Sequence, residues 1–442
     1  MRERVEVAWV LAATMGLSAG LLAGCRGSSS SSSSSGSGSG SGSSNHEGAG
    51  AQEKPVTITW WDTSDSTNEA PKFKDLIVKF QSKYPNIKVD YQNIAFDQAR
   101  DKFKTAAQAS TAPDVMRAEV AWTAEFASLR YLAPLEGTAA SADLGDYLPA
   151  PLSSNKYDGK LYGVPQVTDA LALLYNKALL QKAGVSEPPA TMEQLKQTAL
   201  AVKAKAGADG LYLNPQGYFL LPFIYGAGGD LVRVEQKKIV VNGAEAVKGL
   251  EVALDLIKSG AAPKPDLNSG YNQMQAGFKD GKVAMVLNGP WSVADDFTGK
   301  AFADKANLGI APVPAGSSGK PGAPLGGHNY VVYAGSKNLP ASYQFVQFMN
   351  SAENQAYLAK ELGLLPTRAS AYQLPDASAN PVVPKFKAVI DKAVPRPAIA
   401  QGGQLLVPLD QNYARAIGGD KSPQAALDSV ASDYRQFLKD WN

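Results

Sequence analysis

Thiols and imidazoles are scarce in this chain: one cysteine, Cys25, and two histidines, His46 and His328, in 442 residues. A lone cysteine makes no internal disulfide, and a thiolate metal site needs more ligands than one. A Ser-His-Asp triad or a His-based metal site would rest on His328 alone, because His46 lies in a Ser/Gly-rich stretch. Neither a metal nor a cofactor is implied, and most hydrolytic enzyme classes are excluded. The chain does supply carboxylates beside aromatic rings. It holds 6 Trp, 18 Tyr and 14 Phe, and acids or indoles recur just past apolar alternations. Examples are Trp61-Asp62-Thr63-Ser64-Asp65, Glu119 with Trp122, and Asn288-Gly289-Pro290-Trp291. Asp169 sits inside the apolar run 164–175, where a charge is costly unless paired or facing water. Asp62 and Asp65 each have two readings: a hydrogen-bond acceptor for a ligand, or a cap on the following helix.

The elements that must position these residues are legible from period. Val56, Ile58 and Trp60 alternate with Thr57, Thr59 and Trp61, which predicts a strand. Phe73, Leu76, Ile77 and Phe80 then fall on one helical face, stopped by Tyr84-Pro85-Asn86. Ile87, Val89 and Tyr91 predict a second strand. A helix follows over 97–110 with Phe103, Ala106 and Ala107 inward, then a strand over 114–120 and a helix over 122–131. This alternation is the α/β signature of a mostly parallel sheet covered by helices. Tyr157-Asp158-Gly159-Lys160 predicts a hairpin, and Thr191-Met192-Glu193-Gln194 a capping box opening a helix to 206. Helices over 244–259 and 272–280 precede a buried strand over 283–287. Pro290 suits the first position of the helix that follows it. Short strands over 308–312 and 329–333 and helices over 341–350, 353–362, 385–392, 411–417 and 423–441 complete the chain.

Composition is that of a globular protein, 44% apolar and 19% charged, and residues 55–442 are long enough for two domains. The net charge is +2 and no basic patch follows residue 50, so nucleic acid is not an expected partner. At the N-terminus, Arg2 and Arg4 precede an apolar stretch over 7–23 that ends in Leu22-Ala23-Gly24-Cys25. That is the layout of a bacterial lipoprotein signal over residues 1–25, with Cys25 taking the lipid. The Ser/Gly-rich segment 26–54 reads as a flexible tether. The expected location is the outer face of the cell membrane.

Four segments, in order, resemble the extracellular solute-binding proteins of carbohydrate ABC importers, the group related to maltose/maltodextrin-binding proteins. They are Tyr162-Gly163-Val164-Pro165 followed by Leu174-Tyr175-Asn176-Lys177; Met285-Val286-Leu287-Asn288-Gly289-Pro290-Trp291; Leu308-Gly309-Ile310-Ala311-Pro312-Val313-Pro314 followed by Gly326-Gly327; and Phe348-Met349 followed by Gly363-Leu364-Leu365-Pro366-Thr367-Arg368. The resemblance implies a type II periplasmic-binding fold, two α/β lobes joined by three crossing segments around a ligand cleft. One lobe would hold 55–167 and 329–367, the other 168–328 and 368–442.

It also implies a neutral di- or oligosaccharide ligand of maltodextrin type, captured by hinge closure and delivered to an ABC permease by a single chain, with no bond made or broken. Sugar recognition needs polar groups for hydroxyls and aromatic faces for C–H patches. On that basis Asp62, Asp65, Glu119, Trp122, Asp169, Tyr218, Trp291, Gly327, His328 and Gln404 are the candidate ligand contacts. Tyr218 matches a family stacking aromatic. Gln404, in Gly402-Gly403-Gln404-Leu405, stands where the enteric maltodextrin binders carry a Trp-Tyr pair. Two other readings are a different solute on the same fold (trehalose, another glycan, a polyol or glycerol phosphate) and a surface glycosidase drawing two carboxylates from Asp62, Glu119 and Asp169.

Overall fold

The computed structural model describes residues 54–442. Cys25, His46 and the tether up to residue 53 lie outside the described residues. No described helix is long and apolar enough to cross a membrane.

The chain begins with β1 (Val56–Asp62), α1 (Ala70–Lys83), β2 (Ile87–Asn93), α2 (Phe96–Gln108), β3 (Val115–Glu119) and α3 (Val120–Ser128). β1 pairs in parallel with β2 on one side and β3 on the other. The expected faces hold: Phe73, Leu76, Ile77 and Phe80 of α1 are buried, as are Phe103 and Ala107 of α2. The period-2 alternation sorts neighbours onto opposite faces of the sheet. Trp60 and Tyr330 join one buried cluster with Phe73 and Phe345, while Trp61 and Val331 join another with Phe103 and Phe126.

The apolar run 164–175 is two strands, not one continuous element. β4 (Gly163–Ala170) belongs to the first sheet. After Leu171 alone, β5 (Ala172–Asn176) becomes the centre of a second, antiparallel sheet. Between β5 and its partners come α4 (Met192–Ala206), α5 (Gly217–Gly226), α6 (Ala244–Lys258) and α7 (Gly270–Lys279). β6 (Met285–Asn288) and β7 (Leu308–Ala311) then flank β5. The chain returns to the first sheet as β8 (Leu325–Val332), antiparallel to both β3 and β4. The first sheet therefore runs β2-β1-β3-β8-β4. The mostly parallel sheet expected from the sequence is realised in β1 to β3. β8 departs from it because it comes back from the second lobe, opposite in sense to β4, which leaves for it.

α8 (Leu339–Met349) and α9 (Ala352–Leu362) contribute Phe345, Val346, Met349 and Leu358 to the first core. Leu365 then bridges to Thr168 at the exit of β4. Beyond it, α10 (Val382–Ile390), α11 (Leu406–Gly418) and α12 (Pro423–Phe437) add Phe386, Leu409, Tyr413, Val430 and Tyr434 to the core of the second lobe.

This topology fixes where a ligand can sit. β8 opposes β3 and β4 alike, so β1, β3 and β4 point their C-terminal ends the same way, toward the crossing into the second lobe. Asp62, Glu119 and Asp169 each stand at or next to the end of one of those strands. Across the crossing strand, Glu119 is opposite His328 and Asp169 is opposite Gly326. Ligands of open α/β sheets bind beyond this edge.

Candidate functional site

Of the acids at this edge, only some are free. Asp62 is fully buried and spends its carboxylate inside the fold. It accepts from the Ser64 amide at 3.1 Å, from the Ser64 hydroxyl, and from the Tyr91 hydroxyl at 2.7 Å. Asp65 caps the turn ahead of α1, accepting from the Thr67 and Asn68 amides at 3.0 and 2.6 Å. Glu119 caps α3 through the Ala121 amide at 3.0 Å and forms an ion pair with Arg396.

Asp169 is different. It is 5% exposed, and its carboxylate has no hydrogen-bond partner among the described residues. Glu69, 4% exposed, which sequence reading missed, acts on it electrostatically. Its Oε2 accepts from the Asp65 amide at 3.0 Å, while the buried Oε1 has no partner. Arg117 on β3 is the cation that acts on both carboxylates. Its Nε donates to Gln166 at 2.8 Å, and its guanidinium lies over the Phe73 ring. Burial outweighs Arg117, so both acids are pushed up, Glu69 and Asp169 each to about 7.

Around these acids lie other groups with nothing to bond. The Tyr218 hydroxyl, at the first turn of α5, is buried and unpartnered. A Cβ at Gly326 would overlap the Asp169 carboxylate and lie 2.8 Å from the Tyr218 oxygen, so a bare glycine admits both groups. Gly327 has φ +134°, and a Cβ there would overlap the Val167 carbonyl. The space beside both glycines is taken by the protein itself. Both ring nitrogens of His328 are buried without partners. Burial, with Arg117 nearby, holds its pKa well below the usual value and keeps the imidazole neutral.

Aromatic faces stand at both sides. Trp291 follows β6 in a short 3-10 turn, Pro290–Ser292, with its indole against Gly289, and it is only partly buried. Its Nε1 donates to the Tyr271 hydroxyl at 3.1 Å. The Glu69 charge acts on Tyr271 as well as on Asp169. In the first lobe, Trp122 is 6% exposed and stacks on Phe96, with centroids 5.2 Å apart and planes at 29°. Phe96 is 49% exposed and meets His328 edge-on at 5.9 Å. Phe96 opens α2, and nothing in its sequence context marks it. Gln404 lies in the 3-10 turn Gly402–Gln404, where Gly403 packs against Trp122, and its side-chain amide makes no hydrogen bond. No group of three or more His, Cys, Asp and Glu among the described residues could hold a metal ion.

The lobes meet through Arg396, another residue the sequence did not mark. It lies in the irregular segment between α10 and α11, with 8% side-chain exposure. Its Nε donates to the Leu325 carbonyl at 3.1 Å, its terminal nitrogen pairs with Glu119, and its guanidinium lies over the Tyr218 ring at 5.3 Å. One side chain thus touches the end of β3, the start of β8 and the first turn of α5.

The family model of the bacterial extracellular solute-binding proteins matches residues 64–356. The chain belongs to that family. Its members bind a solute and do not transform it, so the glycosidase reading falls. Structural similarity agrees. The GacH receptor of Streptomyces glaucescens, known unliganded and with acarbose, is 48% identical and superposes with a TM-score of 0.85 over 88% of this chain and all of that one. Among sequence relatives, the maltotriose-binding protein of Pyrococcus abyssi is 26% identical over 83% of this chain and 76% of its own. The maltooligosaccharide ABC transporter solute-binding lipoprotein of Streptococcus pneumoniae R6 is 26% identical over 77% and 79%. The architecture is the two-lobed, type II one.

Two measurements test this geometry. Unfolded, Glu69 and Asp169 titrate near their ordinary 4.5 and 3.8; folded, both hold their protons to about 7. Unfolding therefore releases protons between about pH 4 and pH 7, and their contribution to stability is lost as pH rises through that window. The ligand-free Tm is expected to fall from pH 5 to pH 7.5, and Asp169→Asn to raise the Tm at pH 7.5 and flatten the fall. An unchanged slope in that variant contradicts the assignment. Second, Arg396→Ala leaves Glu119 without its partner and is expected to cost roughly 3–5 kcal/mol in chemical denaturation, with partial recovery when Glu119→Gln is added.

Proposed function

We propose that this chain is the lipid-anchored, extracytoplasmic sugar-binding component of an ABC importer, capturing a di- or oligosaccharide of maltodextrin type. Two features carry the sugar reading: a buried carboxylate, Asp169, with no hydrogen-bond partner among the described residues, and a partly open indole, Trp291, just past the end of a strand of the second sheet. Sugar hydroxyls supply the missing donors and the sugar's C–H face covers the ring. Tyr218, His328 and Glu69 offer further unpartnered groups, and Trp122 with Phe96 a second aromatic face. Asp62, Asp65 and Glu119 act as supports, because their oxygens already serve the fold. Gly326 keeps room for Asp169 and Tyr218, and Gly327 for the Val167 carbonyl. Gln404, in the turn beside Trp122, offers an amide with no hydrogen bond among the described residues. A phosphate ester would face two carboxylates here, which disfavours glycerol phosphate.

The relatives support the class of ligand: acarbose for the Streptomyces receptor, maltotriose and malto-oligosaccharide for the two binding proteins. The pneumococcal relative, a lipoprotein by name, supports attachment through a lipid on Cys25. Binding works by closure: sugar that touches both lobes favours the closed form, which a permease then recognises.

Calorimetric titration with maltose, maltotriose and maltotetraose tests the reading. Saturable binding without turnover is expected, accompanied by a change in tryptophan fluorescence. Trp291→Ala is expected to weaken it by roughly tenfold or more, the loss of one buried aromatic contact. Flat titrations with all three sugars contradict the proposal.

A further inference from the structure

One stripe of α7 clamps the turn that presents Trp291. Tyr271, Gln275 and Lys279 follow one another at i, i+4 and i+8, so they share a face of that helix. All three bond into residues 288–296. Lys279 donates to Asp295 at 2.8 Å. Gln275, 7% exposed, donates to the buried Asp296 at 2.7 Å and accepts from the buried Asn288 at 3.0 Å. Tyr271 accepts from the Trp291 Nε1 at 3.1 Å.

The indole is held at its other end as well. A Cβ on Gly289 would overlap the six-membered ring of Trp291, so that ring rests on bare backbone. Tyr271 is itself fixed. A Cβ on Gly270 would overlap the Pro215 ring, so α7 starts against the segment that leads into α5. The Tyr271 ring packs on Phe219 of α5, with centroids 6.1 Å apart. A phenylalanine at 271 would keep that packing and lose the bond to the indole.

A side chain that must be ordered when a ligand arrives costs affinity, and one ordered beforehand does not. We propose that Tyr271 is a positioning residue for ligand binding. Its hydroxyl, opposite the bare backbone of Gly289, sets the plane of the Trp291 indole before the ligand arrives. This rests on the reading that Trp291 covers a sugar face, and it adds the residue that orients the ring.

Two measurements on the intact protein test it. In proton–nitrogen correlation spectra without ligand, the Trp291 indole signal is the one that Trp291→Phe removes. Tyr271→Phe is expected to shift that signal and speed its exchange with water; an unmoved signal overturns the proposal. Calorimetry with maltotriose then compares wild type, Tyr271→Phe, Trp291→Ala and the double variant. Tyr271→Phe is expected to weaken binding about three- to tenfold when Trp291 is present, with no further loss in the Trp291→Ala background. The same loss in both backgrounds is what a merely structural role gives, and it overturns the proposal, as does no loss beside Trp291. Gly289→Ala pushes the ring from its other end with the hydroxyl intact. It is expected to show the same dependence on Trp291, and it decides the matter if Tyr271→Phe fails to fold. Unchanged maltotriose binding in Trp291→Ala, or no maltotriose binding by the wild type, overturns the reading of Trp291, and the proposal with it.

Discussion

The organising constraint is the burial of two carboxylates that the protein does not neutralise. Leaving the Glu69 Oε1 without a donor costs stability, because a buried polar group without a partner loses its water and gains nothing. The chain avoids that cost at Glu125, where two cations meet the acid. The contrast is what the proposed sugar site rests on: in that reading, groups kept unsatisfied at a strand edge are completed by what binds there. Arg117 moderates the cost without removing it, and the bare glycine at 326 makes room for the two side chains that share it.

The crossing strands turn this local chemistry into a two-lobed device. β4 carries Asp169 to the last residues of the first sheet before Leu171 hands the chain to β5. β8 brings His328 opposite Glu119. The same crossing region receives Arg396, which binds the end of β3 and the start of β8 while covering Tyr218 of the second lobe. A change of angle between lobes must therefore move the indole of Trp291 relative to Glu69 and Asp169. In the proposed mechanism a ligand touching both sides gains contacts only on closure, and that difference in affinity drives the population shift.

Much of this was readable from the sequence, for identifiable reasons. Asp169 stands out because a charge in an apolar run needs an explanation, and Trp291 because an indole after Asn-Gly-Pro opens a helical turn at a strand end. The faces of α1 and α2 and the Asp158-Gly159 hairpin followed from period and turn chemistry. Other features depended on distant contacts. Asp62 had two readings, ligand acceptor or cap; Ser64 is a local donor to it, but Tyr91 reaches it only once β1 and β2 are paired. Glu119 looked free, but its partner lies 277 residues away in an irregular segment. Glu69, ahead of an ordinary amphipathic helix, had no signal beyond its type. The division of residues 164–175 was hidden because both strands are apolar and one residue separates them.

The most direct test is a crystal structure with maltotriose bound, solved near pH 7. The account predicts a sugar between the lobes, with ring hydroxyls within hydrogen-bond distance of the carboxylates of Asp169 and Glu69 and a ring face on Trp291. A bound sugar that leaves both carboxylates untouched, or that lies away from the C-terminal ends of β1, β3 and β4, would contradict it.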